Sequence, residues 1–358
     1  MSELPDAADP RKLDIGRYFE AAIKRGASDL IFTVGVPPSV RLNGAIAQYD
    51  LPPLTADDTL KLLYSVLTGE QIARFEADHE LDFSIQYQDK ARFRGNAYVQ
   101  KGAVAAVFRL IPSKIPALGD LGLPVVLEDL ALQPQGLLLF TGPTGHGKST
   151  TQAALLDIIN AKKRCHIITV EDPIEYLHAS KSSVVDQREV GQDTRSFAAA
   201  LKHVLRQDPD VILVGEMRDL ETMSTALTAA ETGHLVLATL HTNNAVQACD
   251  RIIDVFPPYQ QNQIRTQLSF CLLAIVAQRL LPRKDGQGRV AAVELLRNIP
   301  GVANVIREGK TAQLASVMET HGKMGMQTMD ASLKDLYRKG VIDRETATRF
   351  MQNPQALT

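Results

Sequence analysis

Short apolar runs alternate with helical patterns through the second half of the chain. Nearly continuous apolar runs occupy residues 136–141, 166–171, 211–214 and 235–240, which is typical of parallel strands buried on both faces. Between these runs the apolar residues recur at helical spacing, as in residues 197–205. Strands that alternate with helices predict a doubly wound parallel sheet.

The first part of the chain has shorter elements and more turn signals. A helix is predicted over residues 15–25, and Asn43-Gly44 between two half-apolar runs is a strong hairpin signal. Thr55 is a good N-cap for a helix that Gly69 would end. Strands are predicted at residues 28–34, 81–87, 92–100 and 104–110. Together these elements predict a small α+β domain led by an antiparallel sheet.

We therefore predict an α/β protein of two domains. The N-terminal α+β domain takes residues 1–111, and the α/β domain with its mostly helical C-terminal part takes residues 128–358. Residues 112–127 contain three prolines and little periodicity, so they are predicted to form a linker. The N-terminus lacks the apolar core of a signal peptide, and no apolar run approaches the roughly 18 residues of a membrane span. We expect a soluble protein, or at most one peripheral to a membrane.

Charge and cysteine usage narrow the function classes. The formal net charge of −2 argues against wholesale wrapping of nucleic acid, which needs an excess of Lys and Arg. The three cysteines, Cys165, Cys249 and Cys271, are far apart and form no C-x-x-C motif. A zinc site or a disulfide framework is therefore not expected.

Residues 142–149 match the phosphate-binding pattern G-x-x-x-x-G-K-[ST] in full. Glycines let such a loop curl so that backbone N–H groups point at phosphate oxygens, while Lys148 adds positive charge and the Ser149 hydroxyl ligates Mg²⁺. An apolar strand precedes the loop and an amphipathic helix follows it, so a chance Gly-rich turn is a poor alternative. The candidate nucleotide-binding residues are Gly142, Pro143, Thr144, Gly145, His146, Gly147, Lys148, Ser149 and Thr150.

Two carboxylates follow buried strands at the predicted ligand edge of the sheet. Glu216 comes one residue later than the usual Walker B carboxylate, because Gly215 directly follows the apolar run. We interpret Glu216 as the base that orients or deprotonates the attacking water. Glu171 is the first of three carboxylates within five residues, a cluster that could hold Mg²⁺ through waters or be a solvated turn. The candidate metal ligands are thus Ser149, Glu171 and Glu216.

Two histidines flank the apolar run at residues 235–240. His241 follows the run at the ligand edge, where it could hydrogen-bond the γ-phosphate and sense hydrolysis. His234 precedes the run and so lies at the opposite end of the predicted strand. A lone histidine is more often structural, and for His234 that alternative stays open.

The P-loop and the boxes TVEDPIE, DPDVILVGEMRD and GHLVLATLHTN occur in that order. Together they resemble the secretion ATPase superfamily and, within it, the type IV pilus retraction ATPases, from about residue 15 to about residue 351. The resemblance implies a PAS-like N-terminal domain, a RecA-like ATPase domain and a hexameric ring with ATP bound between the two domains. It also implies pilus disassembly at the cytoplasmic side of the inner membrane, with the pilus machinery and its platform protein as partners.

The resemblance also implies that arginines of the N-terminal domain reach the nucleotide phosphates. The matching residues are Arg92, Arg94 and Arg109, of which Arg94 and Arg109 are the candidate catalytic residues. Two departures from the family pattern stand out. His146 occupies a P-loop position where Ser is usual, and we expect its side chain to point away with little effect. Ala303 replaces the first Arg of a stretch that reads AIRNLIREGK in typical retraction ATPases, which leaves an accessory role in retraction open.

Other functions predict different sequence features. Pilus assembly and type II secretion ATPases of the same superfamily usually carry a four-cysteine zinc motif and a longer N-terminal region. A nucleic-acid motor would need a basic groove with stacking aromatics, whereas aromatic residues make up 5% of this chain and Trp is absent. A ring that binds ATP without hydrolysing it would not need Lys148, Ser149 and Glu216 together.

Overall fold

The structure is a computed structural model that describes residues 14–42, 44–88, 90–111 and 114–357. These residues form two compact units. The first comprises the described residues up to Lys114, together with Glu175–Leu177. The second comprises Ile115–Ile174 and the chain from His178 onward.

The second unit begins earlier than the sequence predicted. Residues 112–127 were predicted to be a linker, but Leu118, Leu123 and Leu127 are buried in the core of the second unit. Val126–Ala131 is already a helix. Pro116 and Pro124 interrupt regular structure in this segment without separating it from the core, and Pro112 lies outside the described residues.

The first unit is built on an antiparallel sheet of six described strands in the order β3-β2-β1-β6-β5-β4. The strands are β1 Asp29–Phe32, β2 Ser39–Leu42, β3 Ala45–Gln48, β4 Glu80–Tyr87, β5 Ala91–Gln100 and β6 Ala103–Ile111. Helices α1 Ile15–Arg25, α2 Ala56–Tyr64 and α3 Gly69–Asp78 complete the unit. Its core contains a group of aromatic rings in which Phe19 stacks on Phe93 and meets Phe108 edge-on. The α+β prediction for this part of the chain agrees with these elements.

Two local predictions in this unit have different outcomes. Thr55 caps α2 through a capping box with Asp58, as predicted. Gly69, predicted to end that helix, instead begins α3, because Thr68 forms a second capping box with Gln71. In the predicted hairpin turn, Asn43 lies outside the described residues, while β2 and β3 on either side of it pair antiparallel.

The second unit contains a sheet of seven described strands in the order β13-β12-β7-β11-β10-β8-β9. Its strands are β7 Gly136–Thr141, β8 His166–Glu171, β9 Val184–Glu189, β10 Val211–Val214, β11 Leu235–Thr239, β12 Leu272–Pro282 and β13 Arg289–Arg297. All neighbouring pairs are parallel except β12 and β13. The four predicted parallel strands are confirmed, whereas β9, β12 and β13 were not predicted.

Helices cover both faces of this sheet, which confirms the doubly wound prediction. They are α4 Val126–Ala131, α5 Lys148–Lys162, α6 Phe197–Val204, α7 Leu220–Glu231, α8 Ala245–Asp254, α9 Pro258–Cys271, α10 Pro300–Arg307, α11 Leu314–Thr320, α12 Met329–Arg338 and α13 Arg344–Phe350. One core includes apolar residues of α4 and α5, and another includes those of α6 to α11. Among the described residues, no helix combines the length and apolar character needed to cross a membrane.

Candidate nucleotide site

The predicted site residues of the second unit lie at one edge of its sheet. Strands β7, β11, β10 and β8 are parallel neighbours in that order, so their carboxyl ends share an edge. The P-loop follows β7, and Glu171 is the last residue of β8. Glu216 follows β10, and His241 follows β11. The topology therefore brings these four features to the same edge, where ligands of such sheets bind.

The P-loop is curled by glycines that no other residue could replace without strain. Gly142, Gly145 and Gly147 have φ values of 132°, 78° and 83°, a region that L side chains rarely adopt. A Cβ atom at Gly142 would also lie 2.3 Å from the carbonyl oxygen of Gln278 in β12. The loop thus packs backbone to backbone against the neighbouring strand.

Lys148 is enclosed by the curl of the loop. It is the first residue of α5, and its side chain is buried. Its Nζ atom donates hydrogen bonds to the carbonyl oxygens of Gly142 at 2.8 Å and Pro143 at 2.9 Å. The ammonium group therefore lies at the centre of the loop, where the sequence predicted phosphate contacts.

Strand β12 supports the loop through Gln278, a residue that the sequence analysis missed. Its Oε1 atom accepts a 2.8 Å hydrogen bond from Thr151 Oγ1 in the first turn of α5. Its Nε2 atom would be 2.7 Å from a Cβ atom at Gly147. A buried Gln among the apolar residues of β12 was the available signal, since buried polar groups need partners.

His146 makes a contact with β12 that the sequence did not predict. Its Nδ1 atom accepts a 2.9 Å hydrogen bond from the backbone N–H of Leu280 in β12. Burial, followed by the charges of Arg279, Lys148 and Arg289, lowers the pKa of the imidazole. The ring thus attaches the loop to β12, and the expectation that it has little effect stays a prediction.

Glu216 is held between two basic side chains. Its Oε1 atom lies 2.7 Å from Arg218 Nε, and its Oε2 atom lies 3.2 Å from His241 Nε2. The Glu216 side chain is 15% exposed, against 42% for His241. The structure therefore brings together the predicted base and the predicted sensor, and it adds Arg218, which the sequence analysis did not select.

Gly215 explains why the carboxylate comes one residue late in this strand. A Cβ atom at Gly215 would lie 3.2 Å from both Glu171 Cα and the carbonyl oxygen of Val170 in β8. The chain leaving β10 thus passes close to the end of β8. Glycine permits that approach, and Glu216 follows it.

Glu171 is oriented by neighbours on its own strand and on β9. Its Oε1 atom accepts hydrogen bonds from Thr169 Oγ1 at 2.7 Å and Gln187 Nε2 at 3.2 Å. Carboxylate and hydroxyl oxygens are ligands that Mg²⁺ prefers, usually together with waters and phosphate oxygens. Ser149, Glu171 and Glu216 supply that donor set at one edge, and so they fit a Mg²⁺ that the nucleotide brings with it. Within the described residues there is no group of three or more His, Cys, Asp or Glu side chains that could hold a metal by itself.

The remaining predicted residues are His234, at the other end of β11, and two arginines of the first unit. The Nδ1 atom of His234 is 3.0 Å from the carbonyl oxygen of Ala229, at the amino end of β11. This position agrees with a structural role. Arg94 and Arg109 belong to the first unit, so their contact with a nucleotide stays a prediction.

The first unit holds its candidate arginines with carboxylates. Arg109 Nε donates a 2.8 Å hydrogen bond to Asp29, whose side chain is only 6% exposed. Arg94 NH2 lies 3.9 Å from Asp82, and both side chains are largely exposed. Arg109 therefore has the better-defined partner of the two.

Comparison with known proteins agrees with these features over nearly the whole chain. The family model described as "Type II/IV secretion system protein" matches residues 12–352. The chain belongs to this family. It is 48% identical to the type IV pilus retractation ATPase PilT of Pseudomonas aeruginosa, over 96% of the chain and 99% of that relative. It is 45% identical to the type IV pilus ATPase PilU of the same organism, over 94% of the chain and 88% of that relative.

A solved structure of the pilus retraction motor PilT with bound ADP is also similar. It is 50% identical in sequence and superimposes with a TM-score of 0.91, covering 97% of this chain and 99% of that one. The predicted RecA-like fold of this secretion ATPase family is thereby confirmed. With its P-loop intact, this member of the type II/IV secretion system family is an ATPase that binds adenine nucleotides.

Proposed function

We propose that this protein hydrolyses Mg-ATP to power the disassembly and retraction of a type IV pilus, and hence twitching motility. The observation that carries the proposal is end-to-end similarity to a retraction ATPase, together with an intact P-loop beside the Glu216–His241 pair. Lys148 contacts the β- and γ-phosphates, and the backbone N–H groups of residues 142–149 surround them. The positive end of α5 points toward the same phosphates.

The proposed hydrolysis step uses the carboxylate of Glu216. In the described geometry, this carboxylate is paired with Arg218 and His241. To act as base, at least one of its oxygens must turn to the attacking water. His241 then hydrogen-bonds the γ-phosphate, so the loss of that phosphate changes the His241–Glu216 contact and reports hydrolysis to the neighbouring strand ends. Ser149, together with Glu171 and Glu216, would hold Mg²⁺, partly through waters, and the ion would supply positive charge against the phosphates.

The assembly and its partners are proposed from the family resemblance. We expect a homo-hexamer in the cytoplasm, peripheral at the inner membrane, acting on the pilus machinery through the platform protein. Arg94 and Arg109 of the first unit supply positive charge to the phosphates in that assembly. No zinc and no nucleic acid are needed for this activity.

The test is the phenotype of a host that lacks this gene. Many surface pili without twitching would support retraction. A bald surface would contradict it and indicate an assembly motor. The same deletion complemented with the Lys148→Ala variant should stay defective if ATP binding is required, and complementation with the wild-type gene is the control.

The second candidate function is an accessory role in retraction. It is suggested by the sequence of helix α10, which departs from that of typical retraction ATPases. The first Arg of the family stretch is Ala303 here, and the remaining Arg307 lies 5.8 Å over the exposed ring of Phe270. The chain is almost as similar to PilU as to PilT. Pili that still retract with reduced force after deletion, and a normal phenotype restored by Ala303→Arg in the absence of a paralogue, would favour this candidate.

A further inference from the structure

We propose that His146 is a positioning residue for nucleotide binding, because its neutral imidazole fastens the outer side of the P-loop to β12. The inference rests on the proposed use of residues 142–149 as the phosphate-binding loop. His146 stands at a position where the family usually has Ser. The loop of this protein would therefore depend on an imidazole nitrogen as a hydrogen-bond acceptor.

The end of β7 explains why an acceptor is needed there. In the described sheet, β12 pairs with β7 as far as Ala277 and Thr141. Beyond that point β7 turns into the P-loop, while β12 continues to Pro282 alongside β13. The N–H of Leu280 then faces the loop where a longer β7 would have offered a carbonyl oxygen. His146 Nδ1 accepts this N–H at 2.9 Å and takes the place of the absent ladder partner.

Other contacts show that this side of the loop is built against β12 and β13. The loop backbone approaches Gln278 so closely that only glycine fits at Gly142. Arg289 NH1 of β13 donates a 3.3 Å hydrogen bond to the carbonyl oxygen of Gly145. Together with the hydrogen bond between His146 and Leu280, these contacts hold this side of the loop at Gly142, Gly145 and His146. The loop N–H groups are thereby left to point at phosphates on the other side.

The charges around His146 keep it an acceptor. Lys148 on its own loop, Arg279 on β12 and Arg289 on β13 are the charged groups that act on it, and all are cationic. Together with burial they lower the pKa of the imidazole. A proton on Nδ1 would replace the acceptor with a donor facing the Leu280 N–H. The contact is therefore present at neutral pH and is lost as the pH falls below the ordinary histidine range toward the lowered pKa.

The test compares His146→Asn with His146→Ala in the full-length protein. Asn carries an acceptor oxygen close to the position of Nδ1 but does not titrate, whereas Ala leaves the Leu280 N–H without a partner. We expect the KM for ATP to rise about fivefold or more in the Ala variant, with a smaller change in kcat, because the part-buried N–H of Leu280 loses its hydrogen bond. The Asn variant should stay within about twofold of wild type. His203→Ala, on the exposed face of α6, is the control and should change neither constant.

The pH profile supplies a readout that a merely structural role would not change. As the pH falls below the ordinary histidine range, the KM of the wild-type protein should rise, while that of His146→Asn should stay flat relative to it. If the Ala variant does not fold, the test is the pH dependence of KM in the wild type and in His146→Asn, with His146→Ser taking the place of the Ala variant. An unchanged KM in the Ala variant, or an Asn variant as weak as Ala with the same melting temperature, would overturn the inference. Loss of ATP binding in Lys148→Ala would show that the site itself stands, so the two failures are distinguishable.

Discussion

At the residue scale, the roles proposed for Lys148 and Glu216 separate the binding of ATP from its hydrolysis. Lys148 is buried within the curl of the loop and donates to two loop carbonyl oxygens. Glu216 is mostly buried and paired at each of its two oxygens. In the proposed mechanism Lys148 supplies charge to the phosphates and Glu216 a base for water, so substituting them should give different defects.

Replacing Lys148 by Ala should weaken nucleotide binding. The change removes a charged donor to the phosphates, and hydrogen bonds to charged groups contribute about 1.5–3 kcal/mol each. The dissociation constant of a fluorescent ADP analogue should therefore rise by more than about tenfold. Lys162→Ala, on the same helix but paired with Glu128, serves as the control. Binding at wild-type strength would place the phosphates elsewhere.

Replacing Glu216 by Gln should trap ATP instead. The amide keeps the size of the side chain and one acceptor oxygen but cannot take a proton, so kcat should fall by about 100-fold or more while ATP still binds. Single-turnover hydrolysis and retention of labelled ATP on a desalting column measure the two effects. Glu221→Gln, at the start of α7 and paired with Lys202, should behave as wild type. Normal turnover by Glu216→Gln would remove Glu216 as the base.

At the element scale, a strand or helix could be predicted where its own sequence carries a recognisable pattern. Strands β7, β8, β10 and β11 could be predicted because strands buried on both faces read as apolar runs. Strand β9 is at the edge of the sheet and half exposed, so its sequence VVDQRE has no such run. The helix boundary at Gly69 was wrong because Thr68, a stronger signal for a start, was overlooked.

The candidate site shows the same division. The carboxylates could be placed because parallel strands that alternate with helices bring their carboxyl ends to one edge. Gln278 and the partner of His146 could not be placed, because these contacts join residues 127 and 134 positions apart. They depend on β12 lying next to β7, an adjacency between strands that are not consecutive in sequence. No periodicity within either segment carries that information.

The contact between the P-loop and β12 predicts a large effect for Gly142→Ala. The methyl group would lie 2.3 Å from a backbone oxygen, at a φ of 132°. Neither atom is at the end of a flexible side chain, so we expect a loss of unfolding free energy above about 4 kcal/mol, or a loop too distorted to bind ADP. Gly288→Ala has a φ of 78° but open space around it, and it should cost only about 1–2 kcal/mol. Chemical denaturation measures the loss of unfolding free energy in both variants, and the difference between the two losses reports the close approach to β12. Equal losses would contradict the packing argument.

At the scale of the whole molecule, the question is whether the first unit takes part in the chemistry of the second. The family resemblance implies that it does, through arginines that reach the phosphates. In the structure, Arg109 is aligned by Asp29 through Nε, and its side chain is nevertheless 68% exposed. A guanidinium held at Nε retains its terminal nitrogens for a second, bidentate contact. Arg109 thus has the geometry of an arginine that is oriented in advance and completed by a ligand.

Arg109→Ala should therefore lower kcat on the order of 100-fold or more, as expected for an arginine that stabilises charge in phosphoryl transfer. Arg41 provides the matched control, because it also pairs with Asp29, at 3.5 Å, and is partly exposed. If the role of Arg109 were only to neutralise the buried carboxylate, Arg41→Ala and Arg109→Ala would lose similar amounts of stability and activity. If Arg109 acts on the nucleotide, steady-state ATPase assays should show a collapse of kcat for Arg109→Ala alone, with ADP affinity nearly unchanged in both variants. Because the P-loop and Arg109 belong to different units, that result would also show that hydrolysis requires the two units to come together, which is what a motor needs in order to convert ATP turnover into movement.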